Sequence, residues 1–131
     1  MAPLAQRTHL GVHPELVGAV LDVAPGTASA TLVATDAMAA DDRGLVHGSF
    51  AFGLADLAAM VAVNDPNVVL GAASCRFLAP VRVGERLEAR AEVTSEKGRK
   101  RTIAVRVAVG ERLVLDGELT AFVLDHHVLD G

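Results

Sequence analysis

The stretch from Val46 to Asn64 constrains the fold of this chain more than any other part of the sequence. It has the composition of a helix that is apolar on every side. Such a helix has no polar face that could contact water, so other parts of the protein must cover all of its sides. It is too short, and too polar at its ends, to cross a membrane. We therefore expect a buried helix at the centre of a globular domain.

Asp56 is the only charged residue inside this predicted helix. Its neighbours three and four residues away are Phe52, Gly53, Ala59 and Met60, so the carboxylate emerges from an apolar surface. Burying a carboxylate there is costly and should raise its pKa. Such groups are often functional. The alternative is that Asp56 caps a neighbouring loop or pairs with an arginine.

The composition limits the class of protein. The chain has 131 residues, 51% of them hydrophobic, which predicts one globular domain spanning 1–131. A net charge of -4 and the absence of Trp and Tyr argue against a nucleic-acid partner. A single cysteine, Cys75, excludes an internal disulfide. No signal-type or membrane-spanning segment is present in the sequence, so we expect a cytoplasmic protein with no membrane partner.

Alternation of apolar and polar residues predicts strands on both sides of the helix. The predicted strands are Glu15–Val23, Thr27–Thr35, Val68–Phe77, Leu87–Val93, Ile103–Val109 and Leu113–Val123. A polar loop is expected from Ser95 to Lys100. The order of two strands, one helix and four strands is typical of an α+β layer arrangement. One sheet cannot surround a helix, so we expect the outer face of the helix to meet a second copy of the chain.

Two segments resemble a known family. Gly44-Leu45-Val46-His47-Gly48-Ser49, followed by Leu54-Ala55-Asp56-Leu57-Ala58, resembles the motif of the hotdog-fold acyl-CoA thioesterases, in particular the phenylacetate-pathway type. The run from Arg76 to Glu85 resembles the strand and turn that follow the helix in that family. The resemblance covers about Leu16 to Val123. It implies a long central helix wrapped by a six-stranded antiparallel sheet, an acyl-CoA substrate, and dimers that pair into tetramers.

The resemblance also implies roles for individual residues. Asp56 lies where the family carries its general base or nucleophile, and Gly48 where a backbone N–H polarises the thioester carbonyl. His47 matches the histidine beside that glycine. Ser49 replaces a second glycine, and Asp41 lies where several relatives have Asn or Gln. Both are candidates for contacts with the substrate. No metal is implied, and coenzyme A enters only as part of the substrate.

The remaining candidates are basic or metal-binding in type. Arg99, Lys100 and Arg101 lie in a basic loop that is either a clamp for the phosphates of coenzyme A or a solvated turn. Arg82 is a further candidate for binding the substrate. His9 and His13 are spaced for one face of a helical turn, as metal ligands could be, but no third ligand is near them in the sequence, so we expect a solvated surface turn. The adjacent pair His126-His127 lacks zinc-site spacing, and Cys75 has no histidine partner placed by the sequence.

Gly48 and Asp56 are eight residues apart, which is roughly 12 Å along a helix at 1.5 Å per residue. An oxyanion donor and a general base must both lie about 3 Å from the reacting atoms. We therefore expect each active site to combine Gly48 of one chain with Asp56 of another. Two other hypotheses remain open: a non-catalytic hotdog protein that binds acyl-CoA, and a hotdog hydratase, whose local motif the sequence lacks. The acyl group is left open.

Overall fold

The computed structural model describes residues 4–131, and Met1 to Pro3 of the predicted domain lie outside the described residues. Within these described residues, the regular structure consists of one long helix, α1, six strands and two short 3-10 helices. The strands are β1 Ala19–Ala24, β2 Thr27–Val33, β3 Val68–Phe77, β4 Arg86–Lys97, β5 Lys100–Val109 and β6 Arg112–Val123. Helix α1 spans Gly48–Val63, and the 3-10 helices span Asp36–Met38 and Val128–Asp130.

The six strands form one sheet in the order β1-β2-β4-β5-β6-β3, and every neighbouring pair is antiparallel. Alternation along the strands gives the sheet an apolar face that packs on α1. On β4, for example, Leu87 and Ala89 are fully buried, whereas Arg90 is exposed on the opposite face. This arrangement is the hotdog fold, and it confirms the predicted α+β class with one central helix on a six-stranded antiparallel sheet.

Both ends of α1 are determined by local chemistry. His47 is the N-cap, and its ring nitrogen Nδ1 accepts a hydrogen bond from the Ser49 N–H. Asn64 ends the helix in the left-handed conformation with φ 56°, which Asn tolerates better than most residues. Pro66 follows two residues later and cannot continue a helix. The helix is therefore slightly shorter than the predicted stretch.

The first predicted strand is too long, because β1 begins at Ala19. Ala5 and Arg7, in the segment before β1, lie at the C-terminal end of α1. Two contacts hold them there: the Arg7 N–H donates to Asn64 Oδ1 at 2.7 Å, and Asn64 Nδ2 donates to the Ala5 carbonyl at 2.9 Å. Val12 and Val17 of the same segment are partly buried against the hydrophobic core. Phe52, Gly53 and Asp56 remain only partly buried.

The predicted polar loop from Ser95 to Lys100 is wrong. Strand β4 continues to Lys97 and β5 begins at Lys100, so only Gly98 and Arg99 form the turn. Gly98 has φ 59°, which a residue without a side chain adopts at little cost. The prediction is wrong because an exposed hairpin tip is rich in polar residues, and this composition is also typical of a loop.

Strand β3 is an edge of the sheet. It pairs only with β6, and the side chains from Leu70 to Ser74 are exposed. An edge strand presents unpaired backbone N–H and carbonyl groups. Within residues 4–131, no helix is long and apolar enough to span a membrane.

Candidate functional site

The N-terminus of α1 leaves the backbone N–H of Gly48 available. The first four N–H groups of a helix have no partner inside it. The His47 ring accepts from Ser49 N–H at 3.1 Å and contacts Ser49 Oγ at 2.8 Å, whereas no hydrogen bond from Gly48 N–H is found within residues 4–131. The partial positive charge of the helix end favours a developing negative charge at this point. His47 therefore orients the first turn, and Gly48 supplies the open donor.

A mostly apolar pocket of about 400 Å³ opens beside this helix end. Its lining residues are Val46, His47, Gly48, Ala51, Phe77, Leu78, Ala79, Pro80, Val81 and Val114. A Cβ atom on Gly48 would lie 3.4 Å from the Phe77 ring, which is ordinary van der Waals contact. Gly48 and Phe77 are therefore close neighbours in the wall of the pocket. Ser49 is exposed and is not among the lining residues.

The Asp56 carboxylate lies two turns further along α1. Its Oδ1 atom is buried and has no hydrogen-bond partner within the described chain. Burial raises the pKa of Asp56, and the charge of His9 acts in the opposite direction with the smaller effect. A buried polar atom without a partner costs free energy, and such atoms are rare in native proteins. This carboxylate is therefore suited to accept a proton from a bound water.

His9 interacts electrostatically with Asp56, which the sequence pattern does not predict. Burial lowers the pKa of His9, and the Asp56 charge raises it by a smaller amount. The sequence favours a solvated surface turn for His9 and His13 over a metal site, whereas His9 is partly buried in the structure. Residues 4–131 contain no group of three His, Cys, Asp or Glu side chains that could hold a metal ion. No periodic signal could have placed His9 beside α1, because its position depends on the contacts of Asn64.

Asp41 and Arg82 flank the helix N-terminus in different ways. The Asp41 Oδ1 accepts from the N–H groups of Arg43 at 2.9 Å and Leu45 at 3.1 Å, so it stabilises the loop before α1. Arg82 pairs through its backbone with Leu45 and follows Val81, a lining residue of the pocket. Arg82 itself is exposed and is not among the lining residues.

The basic hairpin tip, Arg99, Lys100 and Arg101, is far from this pocket within one chain. Lys100 pairs with Phe122 on β6, whereas the pocket residue Phe77 pairs with Leu115 of the same strand. Seven residues of strand separate these positions, or about 23 Å. Arg99 pairs with Asp125, and Arg101 lies 3.6 Å from Glu96. One chain therefore does not bring the hairpin tip and the pocket together.

One long helix packed on a six-stranded antiparallel sheet places the chain in the hotdog class of folds. The chain belongs to the thioesterase superfamily, whose family profile matches residues 43–115. The resemblance found in the sequence is confirmed at this level.

Two solved structures illustrate the relationship. The uncharacterized protein PH1136 from Pyrococcus horikoshii is 47% identical, with a TM-score of 0.98 over 99% of this chain and 100% of that one. A mutant of the phenylacetic acid degradation protein PaaI from Thermus thermophilus is 32% identical, with a TM-score of 0.76 over 83% of this chain and 95% of that one. The chain is therefore similar to an uncharacterized protein as well as to a phenylacetate-pathway protein.

Two curated relatives match over most of this chain. A methylthioribose-1-phosphate isomerase of Aquifex aeolicus is 48% identical over 91% of this chain, which spans 26% of that protein. The transcription factor FapR of Caldanaerobacter subterraneus subsp. tengcongensis is 29% identical over 94% of this chain, which spans 61% of that protein. The chain thus spans about a quarter of the length of the isomerase and about three fifths of the length of FapR.

Proposed function

We propose that this protein is an acyl-CoA thioesterase in which Asp56 acts as general base and the Gly48 N–H stabilises the oxyanion. The observation that carries the proposal is the partner-free, buried Asp56 Oδ1 on a helix whose N-terminus opens onto an apolar pocket. Thioester hydrolysis needs these two elements: a base for the attacking water and a donor for the charge that develops on the carbonyl oxygen. Superfamily membership supports the same chemistry.

The apolar pocket beside Gly48 is suited to the acyl group of the substrate. Its volume of about 400 Å³ and its aliphatic lining, closed on one side by Phe77, fit a small or medium acyl or aryl group. Arg82, which follows the lining residue Val81, is proposed to contact the coenzyme A part. Asp41 contributes through the loop that it stabilises, and Ser49 through its contact with His47.

Each active site is proposed to combine two copies of the chain. Gly48 and Asp56 of one helix are roughly 12 Å apart, so one helix cannot supply both groups to one carbonyl. The exposed edge strand β3 and the incompletely covered stripe of Phe52, Gly53 and Asp56 supply a surface for a second copy. Antiparallel packing of two helices would place Gly48 of one copy near Asp56 of the other.

A panel of acyl-CoA thioesters tests the proposal, with release of the coenzyme A thiol as the readout. We expect hydrolysis of at least one small or medium acyl- or aryl-CoA. The Asp56→Asn variant keeps the shape of the side chain and should lower the rate by about 10²- to 10⁴-fold. If the parent protein bound thioesters but released no thiol, or if the variant turned over at the parent rate, Asp56 would not be a catalytic base.

The similarity to the transcription factor FapR favours a second candidate, a non-catalytic acyl-CoA-binding protein. Such a protein needs the pocket and the helix N-terminus, but it does not need a carboxylate beside the thioester. The two candidates separate in one experiment, because a binder retains the intact thioester after equilibrium binding whereas an enzyme releases the free acid.

A further inference from the structure

One wall of the apolar pocket, formed by Leu78 to Val81, lies in the connection between β3 and β4 and has no helix or strand of its own. Its first residue is held by β6, because the Leu78 N–H donates to the Val114 carbonyl at 2.8 Å. Its last residue is held by the segment before α1, because the Val46 N–H donates to the Val81 carbonyl at 2.9 Å. The position of this wall therefore depends on contacts at its two ends.

The carboxylate of Glu85, four residues after the wall, joins separate parts of the chain. Its Oε1 accepts a hydrogen bond from the Arg82 N–H at 2.7 Å. The Nη2 of Arg112 donates to both carboxylate oxygens, each at 2.7 Å. The Glu85 N–H also donates to the Arg82 carbonyl at 3.1 Å, which closes a tight turn in which Gly84 has φ 94°. The turn that continues the wall is thus held by its own backbone and by β6.

The Glu85–Arg112 pair closes a ring of contacts around the wall. Arg112 begins β6, and Val114, two residues later, both lines the pocket and accepts from the Leu78 N–H. The ring therefore runs from the wall through the turn to Glu85, across to Arg112, and back along β6 to the wall. The Ala34 N–H donates to the Glu85 carbonyl at 2.9 Å, so the turn is also fixed to the end of β2. Loss of the pair opens this ring at a link that side chains make.

The pair is suited to a local role more than to stabilising the whole fold. The side chains of Arg112 and Glu85 are 43% and 23% exposed, and exposed ion pairs contribute little to global stability. The hydrogen bonds from Arg112 and from the Arg82 N–H lower the pKa of Glu85, which favours the ionised carboxylate. Hydrogen bonds to an ionised acceptor are stronger than those between neutral groups. Removal of the pair should therefore move the wall and leave the protein folded.

We propose that Glu85 is a positioning residue whose pair with Arg112 fixes the wall from Leu78 to Val81 and thereby limits the size of the acyl group that the pocket accepts. This inference rests on the proposed acyl-CoA site and deepens it. A fixed hydrophobic pocket separates substrates that differ by one methylene by about 10- to 200-fold. A wall that moves outward accommodates a longer acyl group and loses part of this discrimination.

The test is the ratio of kcat/KM for the best acyl-CoA of the panel to kcat/KM for the acyl-CoA that is about two methylenes longer. Glu85→Ala removes the ion pair and the bond to the Arg82 N–H, whereas Arg112→Ala removes the ion pair alone. We expect each to lower the ratio by roughly threefold or more. Glu85→Gln keeps one acceptor oxygen and should lie between Glu85→Ala and the parent.

Glu88→Ala is the matched control. It also removes an exposed ion pair, with Arg90 at 2.8 Å on β4, and neither residue lines this pocket. Its ratio should equal that of the parent. A ratio between two substrates is insensitive to partial unfolding, because loss of folded protein lowers both rates equally. If Glu85→Ala does not fold, Arg112→Ala and Glu85→Gln carry the same comparison. An unchanged ratio in the folded variants would overturn the role of the pair.

The same comparison separates this inference from the proposed thioesterase activity. If the parent binds the thioesters of the panel but releases no thiol, the proposed activity fails, and dissociation constants replace kcat/KM in the ratio. A ratio lowered in Arg112→Ala but not in Glu88→Ala would then still support the pair as the determinant of acyl size. An unchanged ratio of dissociation constants would overturn it, and a parent that binds no thioester would overturn both.

Discussion

Asn64 ends helix α1 and accepts a hydrogen bond from the backbone N–H of Arg7 at 2.7 Å, across 57 positions of sequence. One side chain thus determines where the helix stops and where the N-terminal segment lies. The same residue donates to Ala5 and is itself buried. Stability of the fold and placement of His9 therefore depend on one amide.

Substitution of Asn64 should be costly in a graded way. Asn64→Ala leaves two backbone groups without partners and places an alanine at φ 56°, so we expect a loss of roughly 2–4 kcal/mol in the free energy of unfolding. Asn64→Gly loses the same bonds without the backbone strain and should recover about 1 kcal/mol of that loss. Urea unfolding of the two variants measures the difference. Equal stability of the Ala variant and the parent would contradict the role of the amide.

The pH dependence of stability should report the buried Asp56. Its pKa is raised in the folded state, so the unfolded chain ionises this group first as pH rises. The resulting destabilisation is fully present above the folded pKa and disappears as pH falls below the unfolded pKa. Asp56→Asn should therefore be more stable than the parent at neutral pH, with the difference shrinking on acidification. Urea unfolding at several pH values measures this, and a constant difference would contradict it.

The sequence predicted the architecture well, because period-two alternation and an all-apolar helix report directly on burial. Strand β3 was predicted with its observed ends, Val68 and Phe77, since Pro66 and the Ala79-Pro80 pair delimit it. The errors lie where local composition and tertiary structure disagree. The tip of the β4–β5 hairpin is polar although it is almost entirely strand, and the apolar run that begins at Glu15 becomes a strand only at Ala19.

The sequence indicates only part of the proposed site, for a similar reason. Asp56 and Gly48 carry local signals, a lone charge in an apolar helix and a glycine at its start. His9 carries none, because its place follows from a bond between Arg7 and the distant Asn64. Single-sequence patterns report neighbours along the chain, so a residue positioned by a long-range contact is not recoverable from them.

Replacing Arg99, Lys100 and Arg101 by Ala tests whether the hairpin tip binds the phosphates of coenzyme A. If it does, KM should rise more than kcat falls, because contacts remote from the thioester contribute mainly uniform binding. The effect should weaken as salt rises. Arg82→Ala, near the pocket of the same chain, is the comparison variant. Because the hairpin tip is about 23 Å from that pocket along the sheet, an effect would imply that it serves the site of another copy. An unchanged KM at low salt would leave the tip as a solvated turn.

Subunit mixing tests the shared site. Gly48→Pro removes the proposed oxyanion donor and suits the structure, because proline is favoured at the first helical position. His47 already has φ -63° and ψ 136°, the extended conformation that a following proline requires. Each mutant alone, Gly48→Pro or Asp56→Asn, should lose most activity because both of its sites carry one defect.

A mixed dimer of these two variants should contain one site with both defects and one site with neither. Random mixing of equal amounts makes about half of the dimers mixed, and each mixed dimer holds one intact site out of two. About a quarter of all sites are then intact, so we expect about a quarter of the parent activity per chain. Native mass spectrometry establishes that mixed dimers form, and circular dichroism establishes that both variants are folded. If mixed dimers form without any return of activity, Gly48 and Asp56 do not act across a two-fold axis.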